Sequence, residues 1–226
     1  MGRHAGWIAG SSCLAQDSHP GAPHIILLPE ISFNQKKFLA KVKETVKKNG
    51  FCVIVASEGI KNSQGKFLAE SDSKDAFGHS QLGGVAPRLA DLINQKLKLK
   101  NHWAVADYLQ RSASHLSSGV DRAHAYEVGR KAVLYATQGL NGVMPVIKRR
   151  ISTPYKWEVV SAQLTKIANV EKKLPAAFIS KDGLGMTKKA RSYFQPLIEG
   201  KIEDSKNINY QAGKMQMVPK KLKAWR

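Results

Sequence analysis

The sequence predicts a layered α/β fold with a mainly parallel sheet. Residues 24–30 (HIILLPE) form a short apolar run, and residues 51–59 (FCVIVASEG) form a second run that is rich in β-branched residues. Both runs have the length of buried strands, and a helical stretch lies between them. The three segments together predict a βαβ unit with two parallel strands. Further helical and strand-like segments alternate after this unit, as in other α/β proteins.

The predicted helix of the βαβ unit begins near residue 32 and ends at Asn49-Gly50. Ser32 and Gln35 have the spacing of a capping box, and an apolar stripe follows at helical spacing with lysines on the other face. A glycine directly after the last helical residue is a common C-terminal signal. Another helix is predicted at about residues 4–15, before the first strand.

The next part of the chain predicts a loop, a helix and a strand. Residues 60–84 are polar and contain glycine, so we expect a long surface loop there. The helix at about 87–97 begins at Pro87, a residue favoured in the first helical turn. Residues 102–108 (HWAVADY) are a third strand candidate.

The last part of the chain predicts one long helix, two strands and two short helices. The long helix begins near Ser118 and ends before Gly139. Two strands are expected within residues 142–163, on either side of a Thr-Pro turn. Short helices are expected at about 164–172 and 187–199.

The composition is strongly basic. The 226 residues carry 36 Lys and Arg against 17 Asp and Glu, a net charge of +19 with histidine neutral. Such an excess predicts attraction to polyanions, either phosphorylated metabolites or nucleic acid. The charge is spread along the chain without zinc-finger spacing or an RNP-like motif, which favours a generally basic surface over a dedicated nucleic-acid face.

Cysteine and hydropathy patterns indicate the expected location. Cys13 and Cys52 are far apart and belong to no CxxC motif, so neither a disulfide framework nor a zinc site is predicted. A reduced, cytoplasmic protein is the expectation. No run reaches the roughly 18 apolar residues that a membrane helix needs.

Candidate binding residues follow the predicted strands. Ligands of open α/β sheets bind beyond the carboxyl ends of the strands, a rule that selects Glu58 and the segment from Tyr108 to Arg111. A carboxylate suits sugar hydroxyls and a guanidinium suits phosphate; the alternative for each is a solvated surface residue. Gly2 and Arg3 precede a predicted helix, where backbone donors and a guanidinium favour phosphate.

Other chemistry has weaker support in the sequence. His4 and His79 are candidate acid–base groups, although a structural role is favoured for each. No metal-binding spacing, GxGxxG, Walker P-loop or GxSxG motif is present, so no nucleotide-phosphate cradle is predicted.

Several ordered motifs resemble one known family. The opening MGRHAGWIA is similar to the hexose-phosphate-binding turn of the phosphofructokinases, most of all the bacterial diphosphate-dependent fructose-6-phosphate 1-phosphotransferases. LLPE, IVASEG, YLQR, VDRAHAYEVGRKAV, KIANVEKKLP and PLIEG continue the resemblance in order. It covers about residues 1–200 as one C-terminal, fructose 6-phosphate-binding portion. Residues 201–226 are then expected to form a basic tail.

The resemblance implies a three-layer α/β fold and a transferase of glycolysis. The implied reaction phosphorylates fructose 6-phosphate to fructose 1,6-bisphosphate, with diphosphate favoured over ATP as donor. The sugar-phosphate contacts fall on eight residues. They are Met1, Gly2, Arg3, Glu58, Tyr108, Leu109, Gln110 and Arg111.

Two positions depart from the family pattern. A rival placement of the last motif at 79–82 (HSQL) is rejected because Leu82 replaces the family's arginine, whereas Arg111 is followed at the right distance by the VDR helix. A further phosphate-contacting arginine of many family members falls on His102. That contact is therefore not expected from this chain.

The resemblance also implies catalytic and metal-binding groups that lie outside these residues. In the family, the glycine-rich donor site, the magnesium-binding aspartate and a TxDND-type stretch with the catalytic base precede the MGR turn. The general base and the Mg²⁺ site are therefore expected outside these residues, and a homo-oligomer is expected. The alternatives are a non-catalytic sugar-phosphate-binding or regulatory subunit and a basic nucleic-acid-binding protein.

Overall fold

The computed structural model describes residues 4–16, 21–68, 70–74, 80–82, 84–107, 109–113 and 116–200. These residues divide into two compact units. The first unit is built from residues up to 107 together with 171–194, and the second from 109–170 together with 195–200. Within this described part, no helix combines the length and apolarity required to cross a membrane.

The first unit contains the predicted βαβ arrangement. Strands β1 (Ile25–Leu27) and β2 (Ile54–Ala56) pair in parallel, and helix α2 (Gln35–Asn49) connects them. Helix α1 (Trp7–Ser11) precedes β1 and runs into a 3-10 turn at Ser12–Ala15. The predicted α/β class is therefore confirmed, with each strand shorter than its apolar run.

Helix α2 ends as predicted but begins two residues later than the capping box implies. Asn34 is the N-cap residue, and its side chain accepts a hydrogen bond from the Lys37 N–H. Ser32 does not cap the helix because the Phe33 N–H donates to the carbonyl oxygen of Lys61, which keeps this link non-helical. At the other end, Gly50 has a φ of 80°, a left-handed conformation that favours glycine.

The core of the first unit lies between the β1–β2 pair and two helices. Phe38 and Val42 of α2 pack with Ile25 of β1, and all three side chains are almost fully buried. Leu89 and Ile93 add the apolar face of helix α3 (Val85–Leu97). Burial of each such side chain stabilises the fold by about 1.5–3 kcal/mol.

Two sequence predictions in this unit are wrong. The expected loop at 60–84 contains strands β3 (Glu70–Lys74) and β4 (Ser80–Leu82), which pair antiparallel. Their polar composition hid them, because strand patterns depend on β-branched and aromatic residues. The third strand candidate, 102–108, has no regular structure over its described residues, and Trp103 is exposed without a neighbouring strand.

The second unit is a helix packed on a long hairpin. Helix α5 (Gly119–Thr137) lies against strands β5 (Val143–Ser152) and β6 (Tyr155–Gln163), and the short helix α4 (Leu109–Ser112) precedes them. The long helix and the two strands around the Thr-Pro turn are confirmed. Among the described strands, parallel pairing is confined to β1 and β2, because short connections join the other pairs as hairpins.

The predicted short helices near the end are only partly formed. A 3-10 turn at Leu164–Lys166 replaces the helix expected over 164–172. Helix α6 (Lys188–Phe194) and a 3-10 turn at Gln195–Ile198 cover the second expectation.

Candidate functional site

Two glutamates follow the parallel strands of the first unit. Glu30 lies three residues after β1, and Glu58 lies two residues after β2, in a turn. The carboxyl ends of parallel strands lie at one edge of a sheet, which is where α/β proteins bind ligands. Glu58 is half-buried and follows Ser57, whose N–H donates to the carbonyl oxygen of Leu27 at 3.0 Å. The position of Glu58 suits a ligand-binding carboxylate, and its role stays a prediction.

The segment that follows Arg3 reaches the same edge. Met1, Gly2 and Arg3 lie outside the described residues, and His4 is the first residue after them. The Gly6 N–H donates to Oε1 of Glu30 at 2.9 Å. The Leu174 N–H donates to the same oxygen, also at 2.9 Å. Glu30 thus ties the N-terminal segment to a distant part of the chain.

His4 is held by contacts from three directions. Its Nδ1 donates to Oε1 of Glu171 at 2.5 Å, and its carbonyl oxygen accepts from Nζ of Lys173, also at 2.5 Å. Its ring stacks on Phe67, with 5.6 Å between the ring centroids and 21° between the planes. These contacts agree with the structural role favoured for this histidine. His79, the other acid–base candidate, lies outside the described residues.

A small hairpin connects the Glu58 turn to His4. The Leu68 N–H donates to the carbonyl oxygen of Ile60, and Lys61 bridges to Phe67 across the hairpin. The Lys61 ammonium lies 4.7 Å from the centre of the Phe67 ring, a cation–π distance. Phe67 therefore contacts both His4 and a residue that lies three positions after Glu58.

The charges around His4 are mixed, with lysines in excess. Hydrogen bonds from Lys173 and His4 hold the pKa of the Glu171 carboxyl below its usual range, so this group is ionised at neutral pH. Lys172 lies with its ammonium 5.8 Å from the Trp7 ring. Its backbone oxygen accepts from Nε1 of Trp7 at 2.6 Å. Together with Lys61 these lysines make the surroundings suitable for an anion.

The second predicted group of contacts lies in the second unit. Helix α4 carries Leu109, Gln110 and Arg111, for which the backbone is described, while Tyr108 and the side chains of Gln110 and Arg111 lie outside the description. Leu109 is 70% exposed and lines a cavity of about 670 Å³. Other residues that line it include Leu116, Ser118, Asp121, Arg122, Leu197 and Ile198. Leu109 thus borders a cavity that is also lined by a carboxylate, Asp121, and a guanidinium, Arg122.

One further position from the sequence analysis, His102, does not take part in these arrangements. His102, at the position of a family arginine, lies exposed in an irregular segment. Across the residues that the structure describes, no three His, Cys, Asp or Glu side chains come together as a metal site would require.

Sequence reasoning missed the residues that hold the N-terminal segment. Glu30, Glu171 and Lys173 were part of the motifs LLPE and KIANVEKKLP, but nothing in their spacing predicts contact with His4 or Gly6. His4 and Glu171 are 167 positions apart, so only the folded chain brings them together. An acidic residue between lysines in an otherwise basic region was the one available signal.

Comparison with known proteins gives consistent matches. The family model described as phosphofructokinase matches residues 1–136. Proteins called pyrophosphate--fructose 6-phosphate 1-phosphotransferase from Xanthomonas campestris and Halomonas elongata are 51% and 54% identical over 100% and 88% of this chain. A crystal structure of a pyrophosphate-dependent phosphofructokinase from Nitrosospira multiformis superimposes with a TM-score of 0.78 and 47% identity.

The matches are partial on the side of the relatives. The chain spans 55% of the Xanthomonas protein and 48% of the Halomonas protein. The superposition covers 100% of this chain and 54% of the Nitrosospira chain. The chain therefore spans about half the length of the curated relatives it matches.

Proposed function

Because this chain belongs to the phosphofructokinase family, we propose that it is the sugar-phosphate-binding half of a diphosphate-dependent 6-phosphofructokinase. The reaction moves a phosphoryl group from diphosphate to the O1 hydroxyl of fructose 6-phosphate, and ATP is the less favoured donor. One observation carries the proposal. Relatives named for this reaction are 51–54% identical to the chain over at least 88% of its length.

The proposed roles follow the chemistry of each side chain. Arg3 and Arg111 hold the 6-phosphate through charge-assisted hydrogen bonds. Glu58 accepts hydrogen bonds from sugar hydroxyls and so orients O1 toward the donor. The remaining contacts come from the residues beside them. These are Met1, Gly2, Tyr108, Leu109 and Gln110.

Positioning is the main contribution that these residues make. Phosphoryl transfer depends on alignment of the two substrates and on electrostatic stabilisation of the transferred group. The donor phosphates, the general base and the Mg²⁺ that we propose for the whole enzyme belong to the part of the relatives that this chain does not span.

The setting and partners of the protein are proposed on the same basis. A glycolytic phosphofructokinase works in the cytoplasm, where free thiols such as Cys13 and Cys52 stay reduced. Fructose 6-phosphate and diphosphate are the proposed substrates, and a homo-oligomer is the proposed assembly. Nucleic acid is not a proposed partner despite the net charge of +19.

Substrate binding tests the proposal. Arg111→Ala should weaken binding of fructose 6-phosphate by about 1.5–3 kcal/mol, the usual worth of a charge-assisted hydrogen bond. The matched control is Arg130→Ala, which removes the same charge from α5, where Arg130 pairs with Glu127. Titration calorimetry of the folded chains measures both.

Equal binding by Arg111→Ala and the parent would remove Arg111 from the site. Equal weakening by Arg111→Ala and Arg130→Ala would show general attraction of an anion to a basic surface instead. In that second case binding should also collapse between low and moderate salt, as expected of a polyanion-binding protein.

A further inference from the structure

We propose that the outer edge of strand β6 is the docking surface for a β-strand from the half of the phosphofructokinase relatives that this chain does not span. The proposal rests on the proposed function, because it assumes that this chain is one half of such an enzyme. It concerns the second unit alone and involves none of the proposed substrate contacts.

The β5–β6 hairpin is an incomplete sheet. Among the described strands, β5 and β6 pair only with each other, so each has one edge without a neighbouring strand. An isolated two-stranded hairpin is marginally stable in water, and three or more strands are needed for independent stability. An edge strand presents a row of backbone N–H and C=O groups with which another chain can pair. Extension by a further strand would therefore stabilise this hairpin.

The register of the hairpin identifies the backbone groups that point away from it. The Leu164 N–H donates to the carbonyl oxygen of Gly142 at 2.8 Å, so these two opposite residues form a hydrogen-bonded pair. In an antiparallel ladder, such pairs alternate with pairs that do not bond to each other. Ile147 and Val159 form a pair of the second kind. Their N–H and C=O groups therefore point outward, Ile147 on the β5 edge and Val159 on the β6 edge.

The two outer edges differ in their capacity to accept a strand. On β5 one of the outward positions is Pro145, which has no N–H to donate. Proline on an edge strand interrupts the row of donors and so opposes addition of another strand. On β6 the outward positions are Trp157, Val159 and Ser161, and each has an N–H. The β6 edge can therefore form an uninterrupted ladder with a new strand, whereas the β5 edge cannot.

The two faces of the hairpin also differ. Helix α5 packs on the face that carries Trp157, whose ring centroid lies 4.4 Å from that of His124. Because successive strand residues point to opposite faces, the other face carries a second set of side chains. Its apolar members are Met144, Val146, Val160 and Ala162. Met144 is 37% exposed, and no described element other than α5 packs extensively on the hairpin. Parallel α/β sheets have both faces covered, so a partner that extends the sheet is also expected to cover this face.

The length of the relatives indicates what occupies this edge. The chain spans 55% of the Xanthomonas protein, so nearly half of that protein has no counterpart here. Under the proposed function, that half supplies the donor site and must associate with this chain through a defined surface. Among the described residues, the buried Ala, Val, Leu, Ile, Phe and Cys side chains all belong to the first unit. The second unit is therefore the part that gains most from a covering partner.

The test is capture of that half by this chain. The part of the Xanthomonas campestris relative outside the matched region is expressed together with the whole chain, and the two are purified as a complex. Sedimentation velocity over a dilution series then measures the dissociation constant. Val159→Pro removes an outward N–H of β6 and places a ring where the new strand would lie. It should weaken the complex about tenfold or more, the effect of losing at least one hydrogen bond.

Ile147→Pro is the matched control. Ile147 lies directly opposite Val159 and has its N–H outward on the β5 edge, where Pro145 already interrupts the row of donors. Neither substitution removes a hydrogen bond between β5 and β6, so the two should change the unfolding midpoint of the chain to a similar extent. Only Val159→Pro should weaken the complex.

Amide hydrogen exchange of the unsubstituted chain gives a second measurement, which does not depend on the folding of a variant. In the complex, exchange at Val159 and Ser161 should slow by about tenfold or more, because their N–H groups gain hydrogen-bond partners. Exchange at Ile147 on the β5 edge should slow less.

Selective weakening by Val159→Pro, together with slower exchange at Val159 and Ser161, supports the docking surface. Equal weakening by both proline variants, or slower exchange at Ile147 than at Val159, overturns it. Failure of the two halves to form a complex overturns it as well. Protection of Val159 and Ser161 that rises with the concentration of the chain alone assigns the edge to a second copy and also contradicts the proposal.

The docking surface and the proposed function fail separately. Binding of fructose 6-phosphate by this chain is measured without the other half. A chain that binds the sugar phosphate but does not capture the half refutes the docking surface and leaves the proposed function standing. A chain that captures the half through β6 but does not bind fructose 6-phosphate refutes the sugar-phosphate role and leaves the docking surface standing.

Discussion

The two units of the chain differ sharply in how they bury apolar side chains. Within the residues that the structure describes, the buried Ala, Val, Leu, Ile, Phe and Cys side chains all belong to the first unit, with Phe38 and Ile25 at 0% exposure. Of the second unit's described residues, the buried ones are Ser118, His124 and Pro196. On its helix α5, Tyr126 is 71% exposed and Val133 is 67% exposed.

This difference indicates which part of the chain is stable by itself. A unit with its own core gains stability from each buried side chain, whereas a helix laid on a two-stranded hairpin buries too little to be strongly stable. Exposed apolar side chains on a helix favour contact with another surface. We therefore expect the first unit to be the stable part and the second unit to open more readily.

The largest effect should come from removal of core packing in the first unit. Phe38→Ala should lower the free energy of unfolding by about 3–5 kcal/mol, because it leaves a cavity at a fully buried position. Tyr126→Ala is the matched aromatic change on the exposed face of α5 and should stay within about 0.5 kcal/mol of the parent. Urea denaturation combined with hydrogen exchange resolves the two units.

The proposed difference between the two units would be wrong if Phe38→Ala and Tyr126→Ala lowered the free energy of unfolding equally. A large loss on Tyr126→Ala would show that α5 buries this face in solution, for example against another copy of the chain. Sedimentation at several protein concentrations distinguishes that case.

A second effect concerns pH and is confined to the second unit. Burial holds the pKa of His124 below its ordinary value, and the hydroxyl of Tyr155 lies 3.1 Å from its Nε2. The unfolded state therefore binds the proton more readily than the folded state, so stability falls as the pH is lowered through about 6.5. Hydrogen exchange of α5 and β6 should increase over this range while that of α2 does not.

The charges near His124 shift its pKa in opposite directions. Asp121 favours protonation and Arg149 opposes it, with burial as the larger cause. His124→Asn should remove the pH dependence near 6.5. Persistence of the same dependence in this variant would assign it to another group.

The smallest effect tests the ends of two helices. Ser118 caps α5 by accepting from the Asp121 N–H, and Asn34 caps α2 by accepting from the Lys37 N–H. Alanine at either position should lower the free energy of unfolding by about 1 kcal/mol. Ser118 also donates to the carbonyl oxygen of Leu197, so Ser118→Ala should be the more costly change. Chemical denaturation of the two single variants measures the difference.

Local signals predicted the elements that are stabilised locally. Ser118 at the start of α5, Gly50 after α2 and the apolar runs of β1 and β2 were all recognisable in the sequence, because each depends on neighbours within a few residues. The class of the fold followed from them.

Elements that depend on distant contacts were not predictable in this way. The cap of α2 shifted to Asn34 because a backbone bond from Phe33 to Lys61 forms in the tertiary structure. The segment 102–108, a strand candidate in the sequence, has no regular secondary structure over its described residues. In the candidate site, strand ends selected Glu58, whereas Glu30 and Glu171 became recognisable through contacts that span 24 and 167 positions.

Phosphoryl transfer by the purified chain tests the central claim most directly. The chain should show no turnover of diphosphate and fructose 6-phosphate alone, because a general base must lie within hydrogen-bond reach of the acceptor hydroxyl and the proposed base lies outside these residues. Addition of the remaining half of the Xanthomonas campestris relative should produce turnover that Arg111→Ala abolishes. Turnover at ordinary enzyme rates by the chain alone would contradict the claim.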